Sequence, residues 1–241
     1  MFLEYFIIIV YTVSLLLIFM YAVAQLNLLI NYLKYKNKED NSVKLDFTNP
    51  EEIPYVTIQL PVFNELYVMK RLLKNIAKKE GLKTAKGEFI AIFDADFLPT
   101  PNWLYETVPY FKDPQIGVVQ TRWSHINRNY STLTKIQAFM LDAHFTLEQV
   151  GRNSQGHFIN FNGTAGVWRK ECIYDAGNWE GDTLTEDIDL SYRAQLKNWK
   201  FKYLEKVETP AELPVVISAA RTQQFRWNKG GAENFQKMAK R

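Results

Sequence analysis

The hydrophobic pattern divides the chain into a long apolar head and a body where short apolar runs alternate with amphipathic stretches. Phe6 to Ile30 is apolar apart from Thr12, Ser14, Gln25 and Asn27 and carries no charge. That exceeds the roughly 20 residues a helix needs to cross a bilayer. Lys34, Lys36 and Lys38 follow at once, whereas the flank before it holds Glu4 and no Lys or Arg. The asymmetry predicts that everything after Leu33 faces the cytoplasm, with Tyr21, Tyr32 and Tyr35 available for the interface. Ala22-Val23-Ala24 resembles a leader cleavage site, but there is no basic segment before it and the apolar run continues past it, so an anchor is expected. Residues 1–33 are therefore read as a transmembrane helix, 34–54 as a polar cytoplasmic linker and 55–241 as the folded domain.

Within the domain, Tyr55 to Val62 is a short β-branched apolar run and reads as a buried strand. Val68, Leu72, Leu73 and Ile76 follow at helical spacing. Phe89 to Phe93 reads as a second buried strand and Ile116 to Thr121 as a third. Ser131 to Val150 reads as a helix: Ser131 is placed to cap it, and Ile136, Phe139, Met140, Ala143 and Leu147 form its apolar stripe. Phe158 to Trp168 holds Gly163 and Gly166 and reads as a turn or tight loop. Asp187 to Leu196 reads as a helix, and Phe201 to Leu204 as a short strand. Alternation of this kind predicts an α/β sandwich on a mostly parallel sheet. Ligands of such sheets gather beyond the carboxyl ends of the strands, where Asn64-Glu65 and Asp94/Asp96 fall.

Composition narrows the picture. An apolar fraction of 47% with 23% charged residues in 241 residues supports a packed domain and excludes a mostly disordered chain. The net charge of +3 comes from scattered Lys and Arg that form no block, so no nucleic-acid surface is expected. The single cysteine, Cys172, builds neither a disulfide framework nor a zinc site.

Three constellations could carry chemistry. Asp94-x-Asp96 follows a buried strand, and two carboxylates so spaced can hold one Mg²⁺ or Mn²⁺ against diphosphate oxygens. They can equally be turn-forming acids. An aspartyl phosphatase motif would need Thr or Val where Leu98 stands. Thr185-Glu186-Asp187 opens a helix, so it is either a plain N-cap or a carboxylate poised to take a proton from a hydroxyl. Gln223-Gln224-Phe225-Arg226-Trp227 offers a phosphate-clamping guanidinium and an indole face, or else an amphipathic helix with Trp227 in the core.

Taken in order, the D-x-D, TED and Q-x-x-R-W segments resemble the signature of the membrane-bound family 2 glycosyltransferases. The resemblance extends through VTIQLPVFNE, FNGTAGVWR and DTLTEDIDLSYRAQLKNWKF. Its wording is closest to relatives of the β-mannan and glucomannan synthases, with cellulose synthases next. It implies a GT-A domain, Rossmann-like with a mostly parallel sheet, behind one transmembrane helix at the inner or plasma membrane. It implies transfer of a hexose, from UDP-glucose or GDP-mannose, to a β-glycan or other acceptor hydroxyl with inversion. Asp94 and Asp96 would hold the metal and diphosphate, Asp187 with Glu186 would serve catalysis, and Gln223, Arg226 and Trp227 would hold the diphosphate. Phe161, Asn162, Gly163 and Thr164, with Trp227, would line the acceptor path.

The chain departs from the family pattern in two places. Only 26 residues separate the first two strands, where the family has a further strand-helix-strand block that grips the nucleoside. One βα repeat needs about 30 residues or more. The gap predicts a sheet short of two strands with residues 55–62 at its edge, and weak nucleotide binding. The family also continues past Arg241 into membrane helices. These departures support an alternative expectation, a catalytically impaired, membrane-tethered remnant.

Overall fold

The structure is a computed structural model that describes residues 2–36, 53–60 and 78–240. Asn64-Glu65, the Val68–Ile76 periodicity, most of the linker and the end of the first strand lie outside the described residues.

Helix α1 (Phe2–Tyr35) is continuous through the whole apolar head, and Leu3–Tyr35 is long and apolar enough to cross a membrane. Residues 3–24 are exposed along their entire circumference. At 1.5 Å per residue they span about 33 Å, close to the thickness of a bilayer core. From Gln25 onward one face, Gln25, Leu28, Asn31 and Tyr32, turns half-buried at helical spacing. That face packs on residues 144–154 of the domain. Gly151 makes the approach possible: a Cβ there would lie 2.9 Å from the Leu28 carbonyl oxygen.

The domain is built on a five-stranded sheet in the order β1-β2-β4-β3-β5. The strands are β1 (Val56–Gln59), β2 (Phe89–Ile92), β3 (Ile116–His125), β4 (Gly166–Arg169) and β5 (Lys200–Ala211). β1 pairs parallel with β2, and β3 with β5. β4 runs against both its neighbours. Four strands thus share one direction, as the mostly parallel expectation requires. β1 forms one edge of the described sheet, also as expected.

β2 explains its own composition. All four of its residues are buried, Phe89 and Ala91 on one face, Ile90 and Ile92 on the other. A strand covered on both faces reads as a continuous apolar run. One face packs under helical residues 78–84, α5 (Lys170–Asp175) and α6 (Glu186–Leu196), with Leu82, Trp168, Ile173, Leu190 and Phe201 in its core. The other packs under α2 (Trp103–Thr107) and a 3₁₀ turn (Val108–Lys112), around Phe93, Trp103, Phe111 and Val167.

Three readings need correction. The Phe158–Trp168 stretch is not a loop throughout, because Gly166–Arg169 is the buried central strand β4. The short strand at Phe201–Leu204 is in fact β5, 12 residues long. The stripe Ile136, Phe139 and Met140 on α3 (Thr132–Ala143) faces outward, 54%, 73% and 61% exposed. The buried face instead carries Thr134, Ala138 and Phe145, and continues to Gln149 through a π turn (His144–Glu148) and α4 (Gln149–Ser154). Ser131 does cap α3, accepting from the Thr134 amide at 3.2 Å while Thr134 Oγ1 accepts from the Ser131 amide at 2.9 Å. A final helix, α7 (Ile217–Met238), carries Gln223 to Trp227.

Candidate functional site

The site forms where the end of β2 meets the glycine loop and the start of α6. Asp94 stands just past β2, half-buried, and its amide donates to Thr164 Oγ1 at 2.8 Å. The Ala165 amide donates to the Ile92 carbonyl at 2.8 Å, so the loop lies across the strand end. Asp96, two residues on, is exposed at the rim.

Three side chains that sequence reasoning passed over pin the loop. Gln120 of β3 is fully buried. Its Oε1 accepts from the Asn162 amide at 3.0 Å, and its Nε2 donates to the Thr164 and Ala165 carbonyls at 3.2 and 3.0 Å. Ser191 Oγ accepts from the Phe161 amide at 3.0 Å. Gln195 brackets Ile159, accepting from its amide at 3.0 Å and donating to its carbonyl at 2.8 Å. Ser191 and Gln195 follow Asp187 at intervals of four, so one face of α6 carries all three. That spacing was a readable signal, as was a lone glutamine inside the apolar run IGVVQT.

Gly163 has φ +83°, a region glycine enters without strain. A Cβ there would sit 3.0 Å from Asp187 Oδ2, so loop and carboxylate are in direct contact. Asn162, Gly163 and Thr164 thus lie beside Asp187. Phe161 differs: its ring is wholly buried, edge-on to Trp168 at 5.3 Å, and it supports the loop from below.

Lys78 was also missed, and it sits among the acids. Its side chain is wholly buried, with Nζ 3.0 Å from Glu186 Oε1 and 3.3 Å from the Gly163 carbonyl oxygen. Nζ also lies 4.8 Å from the centre of the Trp179 ring. Burial pushes this ammonium down, but the charges of Glu186, Asp94 and Asp187 outweigh it and leave its pKa raised. Three acidic residues from two motifs therefore share one field.

The Q-x-x-R-W helix is seated on the TED segment by its second half. Glu233 Oε2 accepts from the Leu184 amide at 2.7 Å, and Asn234 Nδ2 donates to the Thr185 carbonyl at 2.9 Å. Gly230 is buried against Thr185. Trp227, half-buried, lies 6.4 Å from Trp123, which is edge-on at 5.1 Å to Phe97, the residue after Asp96. Arg226 is exposed and Gln223 half-exposed, one to two turns before Gly230. Thr185 does not cap α6 with its side chain; its hydroxyl is engaged by Asn234.

Carboxylate oxygens suit a hard divalent cation, and the Asp94/Asp96 turn offers such a set at the mouth of the site. A second trio, Glu180, Asp182 and Asp189, brings its oxygens within 4.8 Å of one another. Its centre holds the Lys237 ammonium, at 2.6, 2.7 and 2.8 Å from the three. Cys172 is buried, which pushes its thiol well up and away from reactivity.

Comparison with known proteins adds the following. The family described as "Glycosyltransferase like family 2" matches residues 50–230. "Probable glucomannan 4-beta-mannosyltransferase 4" of Oryza sativa subsp. japonica is 46% identical over 167 residues, 68% of this chain and 30% of that protein. "Glucomannan 4-beta-mannosyltransferase 1" of Cyamopsis tetragonoloba is 45% identical over 168 residues, 68% of this chain and 32% of its own length. The chain thus spans about a third of these relatives. Among solved structures, the mannosyltransferase PcManGT from Pyrobaculum calidifontis in complex with GDP-Man and Mn²⁺ shares the fold. Its TM-score is 0.62 at 17% identity, covering 91% of this chain and 74% of that one.

Proposed function

Since the chain belongs to the glycosyltransferases like family 2, we propose that it is a hexosyltransferase moving a sugar from a nucleotide donor to an acceptor hydroxyl. The observation that carries this reading is the meeting of Asp94, Glu186 and Asp187 at one buried ammonium, with the Asn162–Thr164 loop against Asp187. The names of relatives 45–46% identical favour mannose as the sugar and a β-1,4-glycan as the acceptor.

In this reading Asp187 accepts the proton of the acceptor hydroxyl as its oxygen attacks the anomeric carbon. The bond to the nucleoside diphosphate breaks on the opposite face, so the configuration inverts. Asn162, Gly163 and Thr164 border the acceptor, and Phe161 holds their loop in place. Glu186 stays tied to Lys78 and keeps the start of α6 fixed. Arg226 and Gln223 reach the diphosphate, and Trp227 offers a ring face to the sugar. Asp94 and Asp96 would hold a Mg²⁺ or Mn²⁺ ion, which as a Lewis acid offsets charge on the departing diphosphate. Helix α1 anchors the domain in the membrane, with the domain in the cytoplasm beside soluble nucleotide sugars. The chain divides into the anchor (1–33), a linker (34–54) and the catalytic domain (55–241).

The test is transfer from radiolabelled GDP-mannose and UDP-glucose to β-mannan oligosaccharides, with the chain held in detergent or vesicles and Mn²⁺ present. Labelled product from GDP-mannose is expected; no product from either donor rejects the reading. A second reading, an impaired tethered remnant, is favoured by the 26 residues between Val62 and Phe89. Calorimetry separates the two, because the remnant would fail to bind GDP with Mn²⁺ and the transferase would bind it.

A further inference from the structure

In the transfer just described Lys78 only ties down Glu186, yet it is a wholly buried charge beside the glycine loop. A buried ammonium persists only where its charge and its three donors are matched. Here Glu186 Oε1, the Gly163 carbonyl and the Trp179 ring face meet those needs, at 3.0, 3.3 and 4.8 Å. None of these partners is a solvent-facing group awaiting a ligand. Lys78 is therefore committed inward, and its field falls on the carboxylates around it. Asp94, one of the two acids at the mouth, is tied to the same loop: its amide donates to Thr164 Oγ1 at 2.8 Å, next in the chain to the Gly163 carbonyl that Lys78 holds at 3.3 Å.

We propose, resting on the reading of Asp94 and Asp96 as the divalent-cation site, that Lys78 is a built-in counter-cation that sets how tightly this site holds its metal. A divalent ion arriving at Asp94 and Asp96 meets one fixed positive charge more than it would without Lys78, and its affinity is lowered by that repulsion. In exchange the site stays assembled with no metal bound, because Lys78 joins Glu186 of α6 to the glycine loop. Lys78 acts through its neighbours and is a positioning residue.

The inference predicts an order of Mn²⁺ affinities that follows the charge of the cluster, whatever the packing. The measurement is Mn²⁺ binding to the full chain in detergent, without nucleotide, by calorimetry or by the free-Mn²⁺ paramagnetic resonance signal. Lys78→Met should bind on the order of tenfold or more tighter than the parent. Glu186→Gln should bind more weakly by a similar factor. The pair Lys78→Met with Glu186→Gln restores the parental charge and should return to within about threefold of it. Should Lys78→Met alone fail to fold, the step from Glu186→Gln to the double variant isolates the same lysine charge, and it should tighten binding on the order of tenfold. A flat series, or weaker binding on loss of the lysine, overturns the inference. Asp94→Asn distinguishes the two layers. If it abolishes Mn²⁺ binding while the charge series stays flat, the metal site stands and Lys78 has no part in tuning it. If Asp94→Asn leaves binding unchanged, the metal site itself is misplaced and the inference falls with it.

Discussion

Helix α6 serves two carboxylate clusters that differ in kind, although Asp187 and Asp189 are only two residues apart. On one side Asp189 joins Glu180 and Asp182 around Lys237, which reaches all three at 2.6–2.8 Å. Arg193 adds a second cation, donating to Asp189 Oδ2 at 2.9 Å through Nε. On the other side Asp187, Glu186 and Asp94 lie in the field of the Lys78 ammonium, which pairs with Glu186 at 3.0 Å and also reaches the Gly163 carbonyl oxygen and the Trp179 ring. The first cluster is held by two cations in direct contact and straps the end of α7 to α6. The second lies against the glycine loop at the end of β2. Carboxylates locked between cations hold structure; in the proposed function it is the cluster beside the glycine loop that takes the proton and the metal.

The comparison breaks most visibly at the two aspartates. Asp187→Asn should abolish sugar transfer, a loss of at least about a hundredfold in line with removal of a general base, while the thermal midpoint barely moves. Unchanged turnover would remove Asp187 from the base role. Asp189→Ala should do the reverse. It strips a fully buried acid from Arg193 and Lys237, and breaking such a group costs roughly 3–5 kcal/mol. Denaturant unfolding should show that loss, with transfer per folded molecule within a few-fold of the parent. If Asp189→Ala silenced the folded protein as thoroughly as Asp187→Asn, the division of α6 into a site face and a strap face would be wrong.

The motifs and the strands before them were legible because they are short, local and strongly patterned. The Phe89–Phe93 strand needs only its apolar run to be found, and it delivers Asp94 to the sheet end directly. What escaped depends on partners far along the chain. β4 hides behind Gly163 and Gly166, which read as a turn until β2 and β3 are seen on either side of Val167 and Trp168. β5 carries three charged residues, half-buried Glu205 and exposed Lys206 and Glu208, which shortened its apparent length. The α3 stripe was misjudged because small and polar residues, Thr134 and Ala138, take the core side while larger apolar ones face out. Lys78 stands in KKEG, a string that reads as solvated surface. Only the fold brings Glu186, 108 residues away, to meet it.

The smallest effect bears on how the strap is held. Burial tends to raise the Asp182 pKa, but the hydrogen bond and charge of Lys237 bring it below its ordinary value. A carboxylate with a depressed folded-state pKa contributes stability above its unfolded value, near pH 4, and loses it as pH falls through the folded one. For Lys237 burial acts downward, yet its bonds to Asp182, Asp189 and Glu180 raise it overall. Its contribution is complete below its unfolded value, above pH 10, and is lost only at higher pH. Across the neutral range the strap is therefore at full strength, and acid is where its Asp182 arm fails first. The Asp182 side chain is 58% exposed, so solvent screening keeps the arm weak. Asp182→Asn should lower the thermal midpoint at pH 7 by at most about 2–4 °C. That difference should close as pH falls through the lowered pKa of the native Asp182 and its carboxylate takes up a proton. A gap unchanged by acid would mean Asp182 acts by shape or hydrogen bonding alone. The strap would then owe nothing to charge at that position, and its contrast with the cluster around Lys78 across α6 would lose one of its supports.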